Sequence, residues 1–215
     1  MTKIEQILDA IKKADNLQSG MTPLAWSVTA LASLRGRHLL NNLRAISTKY
    51  LECGLHKAGT FSSTICGNTL ISATGVDNFA SDEPYHNDQA EPQCMENVRK
   101  VIHPETAFYF HKSDSFEVDL SVVEKGIDFY FYDAGHSRED QKNALLYYKP
   151  VLADEFIYAC DDWDYGEVKA GTMEGVEQGG YEILFQKELH GAIPGEHDND
   201  SYWRGYWVAL LKKKP

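Results

Sequence analysis

Six acids and one histidine sit where short apolar runs end. The acids are Glu52, Asp77, Asp114, Asp133, Asp161 and Asp162, and the base is His136. Carboxylates accept strong hydrogen bonds from hydroxyls and amines. As an all-oxygen group they also suit a hard divalent ion such as Mg²⁺. An imidazole titrates near neutrality and can serve as a general base. Each residue taken singly has a plainer reading. Asp and Ser are common in loops and cap helices, so Asp114 or Ser115 can open a helix, as can His136 or Ser137. Gathered along one edge of one sheet, the same residues make a site.

The elements needed to gather them are legible. The first 48 residues read as helical: Ile4, Ile7, Leu8 and Ile11 stand at helical spacing, and Thr22-Pro23 has the form of a cap followed by a first-turn proline. From Lys49 the pattern alternates. Strands are expected at KYLECG, at a run closing on Asp77, at TAFYFHKSD, IDFYFYDAG and EFIYACDD, and in two late runs, YEILFQKEL and YWRGYWVALLKK. Helices are expected at QAEPQCMENVRKVI, HSREDQKNALLYYKPVL and EVKAGTMEGVEQ. Such alternation implies a mostly parallel sheet covered on both faces. The last two strands are joined only by a loop, so one of them runs antiparallel. Ligands in open sheets of this kind bind beyond the carboxyl ends of the strands, where the acids lie. The loop from Asn78 to Asp88, with His86, is a candidate wall for an acceptor.

The turn after the first strand narrows the ligand. Gly54 and Gly59 have the outer spacing of a phosphate-binding loop, but Thr60 stands where that loop requires lysine. A dinucleotide turn needs a second glycine where His56 stands, which disfavours NAD and FAD. An acid inside the first strand, Glu52, suits a ligand with a cationic group and no phosphates.

Four segments, YLECGLHKAGT, ATGVDNF, YFHKSDSF and IDFYFYDAGHSREDQKNALLYYKPVLADEFIYACDDWDY, resemble the class I S-adenosylmethionine-dependent methyltransferases. Within them the chain is similar to small-molecule O-methyltransferases, some of which are metal-dependent. The resemblance runs from about Lys49 to the C-terminus. It implies a Rossmann-like, doubly wound α/β fold: a seven-stranded, mostly parallel sheet whose last, antiparallel strand is inserted between the fifth and sixth. Residues 1–48 would be a helical extension, acting as a lid or dimer element, and 49–215 the methyltransferase domain. It also implies that Glu52, Gly54 and Gly59, with neighbours His56 and Thr60, hold the methionine part of S-adenosylmethionine. Asp77 and Asn78 would take the ribose, and Asp114 and Ser115 would meet adenine, with Asp133 nearby. The family usually has glycine where Ala58 stands, so the turn is expected to shift.

Two devices could remove an acceptor's proton. His136 could act as base beside Asp133, or Asp133, Asp161 and Asp162 could hold Mg²⁺ and acidify a bound hydroxyl. A fold that binds the cofactor without turnover is the alternative to an enzyme. Trp163 and Tyr165 are expected to touch substrate, whereas Tyr130–Tyr132, Tyr147-Tyr148 and Trp203–Trp207 read as packing.

Totals set the remaining bounds. The 215 residues carry a net charge of −11, which disfavours duplex nucleic acid as a partner. No apolar run approaches the ~20 residues of a membrane span, and the N-terminus lacks the pattern of a signal peptide. Cys53, Cys66, Cys94 and Cys160 form no C-x-x-C pair, so buried thiols and a cytoplasmic setting are expected. The partner would be a small molecule, with a homodimer open.

Overall fold

The computed structural model describes residues 1–80, 89–192 and 200–215. Three helices come first: α1 (Lys3–Asp15), α2 (Pro23–Trp26) and α3 (Leu34–Arg44). They are followed by β1 (Lys49–Cys53), α4 (Gly59–Ile65), β2 (Ser72–Asp77), α5 (Ala90–Val101) and β3 (Ala107–Lys112). The chain continues through β4 (Ile127–Tyr132), α6 (Arg138–Tyr147), β5 (Leu152–Cys160), α7 (Gly166–Gln178), β6 (Tyr181–Leu189) and β7 (Tyr206–Lys213). The seven strands form one sheet in the order β3-β2-β1-β4-β5-β7-β6. β7 runs antiparallel to both neighbours, and the other pairings are parallel. This is the expected Rossmann-like architecture.

Strand alternation sorts the side chains into two cores. In β4, Phe129 and Phe131 point to one face and Tyr130 and Tyr132 to the other. The phenylalanine face is covered by α1, α3, α4 and α5, and the tyrosine face by α6 and α7. The N-terminal helices thus complete a layer of the sheet. Thr2 and Glu5 form a reciprocal capping box at the start of α1. Arg37 is buried in α3 and binds Ser63 of α4 through Nε at 2.7 Å. Its Nη2 donates to the carbonyl oxygens of Ala25 and Val28. Asn41 Nδ2 adds bonds to the carbonyls of Ser63 and Cys66. These contacts lay residues 29–32 across the start of α4.

Asp114 and Ser115 open no helix between β3 and β4. Residues 113–126 form turns and no helix. Asp114 Oδ1 accepts from the Phe116 N–H and Asp119 Oδ1 from the Ser121 N–H, local bonds that compete with helix formation. Tyr147, the last residue of α6, and Tyr148 after it then pin the segment by donating to the carbonyls of Val118 and Ser115, each at 2.7 Å. All four cysteines are free and buried, as expected. Among the described residues no helix is long and apolar enough to cross a membrane.

Candidate active site

Register builds the site. Cys53 of β1 pairs with Val76 of β2 and with Tyr132 of β4, and Tyr132 pairs in turn with Cys160 of β5. The residues that follow, Asp77, Gly54, Asp133 and Asp161, therefore stand in a row along the carboxyl edge. Gly54 lies in the left-handed region (φ 92°), and a Cβ on it would sit 1.9 Å from the Asp133 carbonyl oxygen. Only glycine lets the end of β1 approach β4 this closely.

The turn beyond Gly54 is held by Asp77. Its Oδ2 accepts from the His56 N–H at 2.7 Å and its Oδ1 from the Phe79 N–H at 2.6 Å. Each oxygen keeps a further lone pair, so the carboxylate can accept from two more donors. His56 and Ala58 both adopt left-handed backbone, Ala58 at φ 58° and ψ 35°. The shift expected from alanine at this position is a strained residue within an intact turn.

The start of α4 is covered by the N-terminal segment. A Cβ on Gly59 would lie 2.4 Å from Ala30 Cα. Glu52 is fully buried beneath the site, with Oε1 accepting from Thr60 Oγ1 at 2.6 Å and Oε2 from the Tyr50 hydroxyl. Burial pushes its carboxyl up to about 8, with the charge of Asp77 adding and the two hydroxyls opposing. Glu52, His56, Gly59 and Thr60 are not among the residues that line the cavity. They shape its floor and turn.

Above the strand ends opens a cavity of about 790 Å³, inside the range of roughly 300–1,000 Å³ usual for ligand sites. One end is lined by Gly54, Asp77, Asn78, Asp114, Ser115 and Phe116. Asn78 Nδ2 donates to Asp114 Oδ2 at 3.3 Å, linking the ends of β2 and β3. The other end carries Asp133, His136, Asp161, Asp162, Trp203, Arg204 and Tyr206, and Leu31 and Ala32 form a wall from the N-terminal segment. The first end offers what a nucleoside needs: acceptors for two hydroxyls at Asp77 and an aromatic edge at Phe116. The donor set fits S-adenosylmethionine.

The acids at the second end crowd one another. Burial, then the charges of Glu52 and Asp162, hold the Asp133 carboxyl well above the usual carboxylate range. Burial, then Asp133 and Asp162, do the same to Asp161. Asp162 has left-handed backbone (φ 55°) and turns to other partners. Its Oδ2 lies 3.5 Å from His136 Nε2 and 3.6 Å from Arg204 Nη1. Among the described residues no group of three or more His, Cys, Asp or Glu is arranged to hold a metal ion. The expected Mg²⁺ ligand set of Asp133, Asp161 and Asp162 is not found as such a group among the described residues; Asp162 Oδ2 lies near His136 and Arg204.

Several other expectations need adjustment. Trp163 is buried and stacks on Trp207 with ring centroids 5.1 Å apart, so it packs and does not face the cavity. Tyr165 is exposed and sits under Arg204, outside the lining. Trp203, read as packing, lines the cavity. His86 lies outside the described residues. Arg204 and Tyr206 were hidden within a run read as a single strand, although Gly205 between them signals a break; the strand begins only at Tyr206.

A family model described as "Methyltransferase domain" matches residues 47–163. Comparison with curated proteins finds no match. Among solved structures, a protein of Corynebacterium glutamicum aligns at 14% identity over 97% of this chain and 98% of its own, with a TM-score of 0.57. An O-methyltransferase from Bacillus cereus in complex with SAH aligns at 13% identity over 99% of this chain and 91% of its own, with a TM-score of 0.54. At such identities the structures speak for the fold, and the family match, which spans more than half of the sequence, speaks for descent. The chain belongs to the methyltransferase domain family and is an S-adenosylmethionine-dependent methyltransferase of class I.

Proposed function

We propose that the protein methylates an oxygen of a small-molecule acceptor, with His136 as the base. The observation that carries this reading is the division of one cavity: nucleoside-type acceptors at Asp77 and Asp114, and an imidazole flanked by carboxylates at the other end. The acceptor is small because the same cavity must hold both reactants. Its acids also repel the phosphates of a nucleic acid.

Bound S-adenosylmethionine supplies an electrophilic methyl on a positively charged sulfur. Asp77 and Asp114 bind and orient the nucleoside part. Gly54 lets the backbone approach, and Leu31 and Ala32 exclude water from one side. His136 Nε2 takes the acceptor's hydroxyl proton as the oxygen bonds to the methyl carbon and the carbon–sulfur bond breaks. The imidazolium so formed faces Asp162 Oδ2 at 3.5 Å, with Asp133 Oδ1 at 3.8 Å. Its side chain is 40% exposed, so the proton can pass to solvent. The test is methyl transfer to a panel of hydroxyl, carboxyl and amine acceptors, read by mass. Methylation confined to amines would remove the oxygen reading.

A further inference from the structure

From the cavity lining we infer that Arg204 is an acceptor-recognition residue and that the acceptor is a hydroxycarboxylate, its carboxylate held by the guanidinium while His136 meets its hydroxyl. The inference rests on the methyl-transfer reading above and names the substrate class of that site.

Arg204 is the single permanently cationic side chain lining the cavity among the described residues. The two segments outside them, 81–88 and 193–199, contain no Lys or Arg. Its charge is underused. Nη1 stands 3.6 Å from Asp162 Oδ2, beyond hydrogen-bond length, and the buried Nε–H has no partner among the described residues. A buried donor of this kind favours a ligand that satisfies it. The group is also held in place. The Arg204 carbonyl accepts from the Asp164 N–H at 2.8 Å, and the guanidinium carbon lies 5.6 Å from the Tyr165 ring centroid.

Topology puts Arg204 on the acceptor side. It lies two residues before β7, which is beyond β5, whereas Asp77 ends β2 and Asp114 follows β3, on the far side of β1. His136 Nε2 and Arg204 Nη1 reach the same oxygen of Asp162, so one small acceptor can touch both. A guanidinium matches a carboxylate in a two-point fork. One guanidinium beside Asp162 offers a single positive charge, so a carboxylate monoanion meets less repulsion from the acids there than a phosphate dianion does.

The test is calorimetric titration of the protein preloaded with S-adenosylhomocysteine. Matched probes are salicylate against salicylamide and mandelate against mandelamide, with glycerol phosphate as the dianion arm. At least one acid is expected to bind about tenfold or more tighter than its amide. Arg204→Gln should abolish that preference, Arg204→Lys should restore part of it, and affinity for S-adenosylhomocysteine should not change. Equal binding of acids and amides, a preference that survives Arg204→Gln, or tighter binding of glycerol phosphate would each overturn the proposal. So would weakened S-adenosylhomocysteine binding in Arg204→Gln, which would assign the residue to the cofactor. Failure of wild-type protein to bind S-adenosylhomocysteine would instead strike the methyl-transfer reading itself.

Discussion

His136 Nε2 lies 3.5 Å from Asp162 Oδ2, and the residue comes from the loop after β4 while its partner ends β5. The pairing sets a base at the acceptor end of the cavity with a carboxylate behind it. Replacing His136 by Ala should lower kcat by about 10²–10³, while affinity for S-adenosylhomocysteine stays within twofold or so. A variant with wild-type kcat would remove His136 from the chemistry.

Asp162 is engaged by His136 and Arg204, not by a metal-type cluster. Turnover measured after EDTA treatment should therefore match that of untreated protein, and added Mg²⁺ should not raise it. Loss of activity in EDTA with recovery on Mg²⁺ would restore the three carboxylates as ligands.

Ala58 holds a left-handed conformation that costs an L-residue roughly 1–2 kcal/mol. Ala58→Gly should relieve part of this, and chemical denaturation should show a gain of about 0.5–1 kcal/mol after the entropy cost of glycine. Gly54→Ala should do the opposite and by more, since its Cβ would meet the Asp133 carbonyl oxygen.

Glu52 gives stability a pH dependence. Its carboxyl is raised from 4.5 to about 8 by burial, so between those values the fold holds a proton that the unfolded chain has lost. Stability from this group is full below about 4.5 and is lost as pH rises through 8, by at most roughly 1.4 kcal/mol per pH unit crossed. Asp133 and Asp161, also raised, act in the same direction. Glu52→Gln should flatten the decline of melting temperature between pH 5 and 8. An unchanged slope would show that Glu52 is ionised in the fold.

The strands were legible because apolar runs bounded by turn residues mark them; their order was implied by the family resemblance. The acids at Asp77, Asp114, Asp133 and Asp161 were legible for the same reason, since a residue after a strand must stand at its edge. What was hidden depends on the third dimension. Nothing local in YLECGLHKAGT says that residues 29–32 lie over Gly59, because Arg37 and Asn41 impose that from another helix. Nor can the doublet Asp161-Asp162 reveal that its second member is left-handed and turns to Arg204, which lies 42 positions along the chain.

We propose that Asp77 and its row of neighbours hold S-adenosylmethionine. The direct measurement is calorimetric titration of S-adenosylhomocysteine into wild-type protein and into Asp77→Ala, with NAD⁺ as the control ligand. Asp77 accepts from two backbone N–H groups and has lone pairs left for two hydroxyls. A single site is expected in the wild type, no heat with NAD⁺, and a loss of roughly 1.5–3 kcal/mol in the variant. Undiminished affinity in Asp77→Ala, or binding of NAD⁺ in place of S-adenosylhomocysteine, would contradict the account.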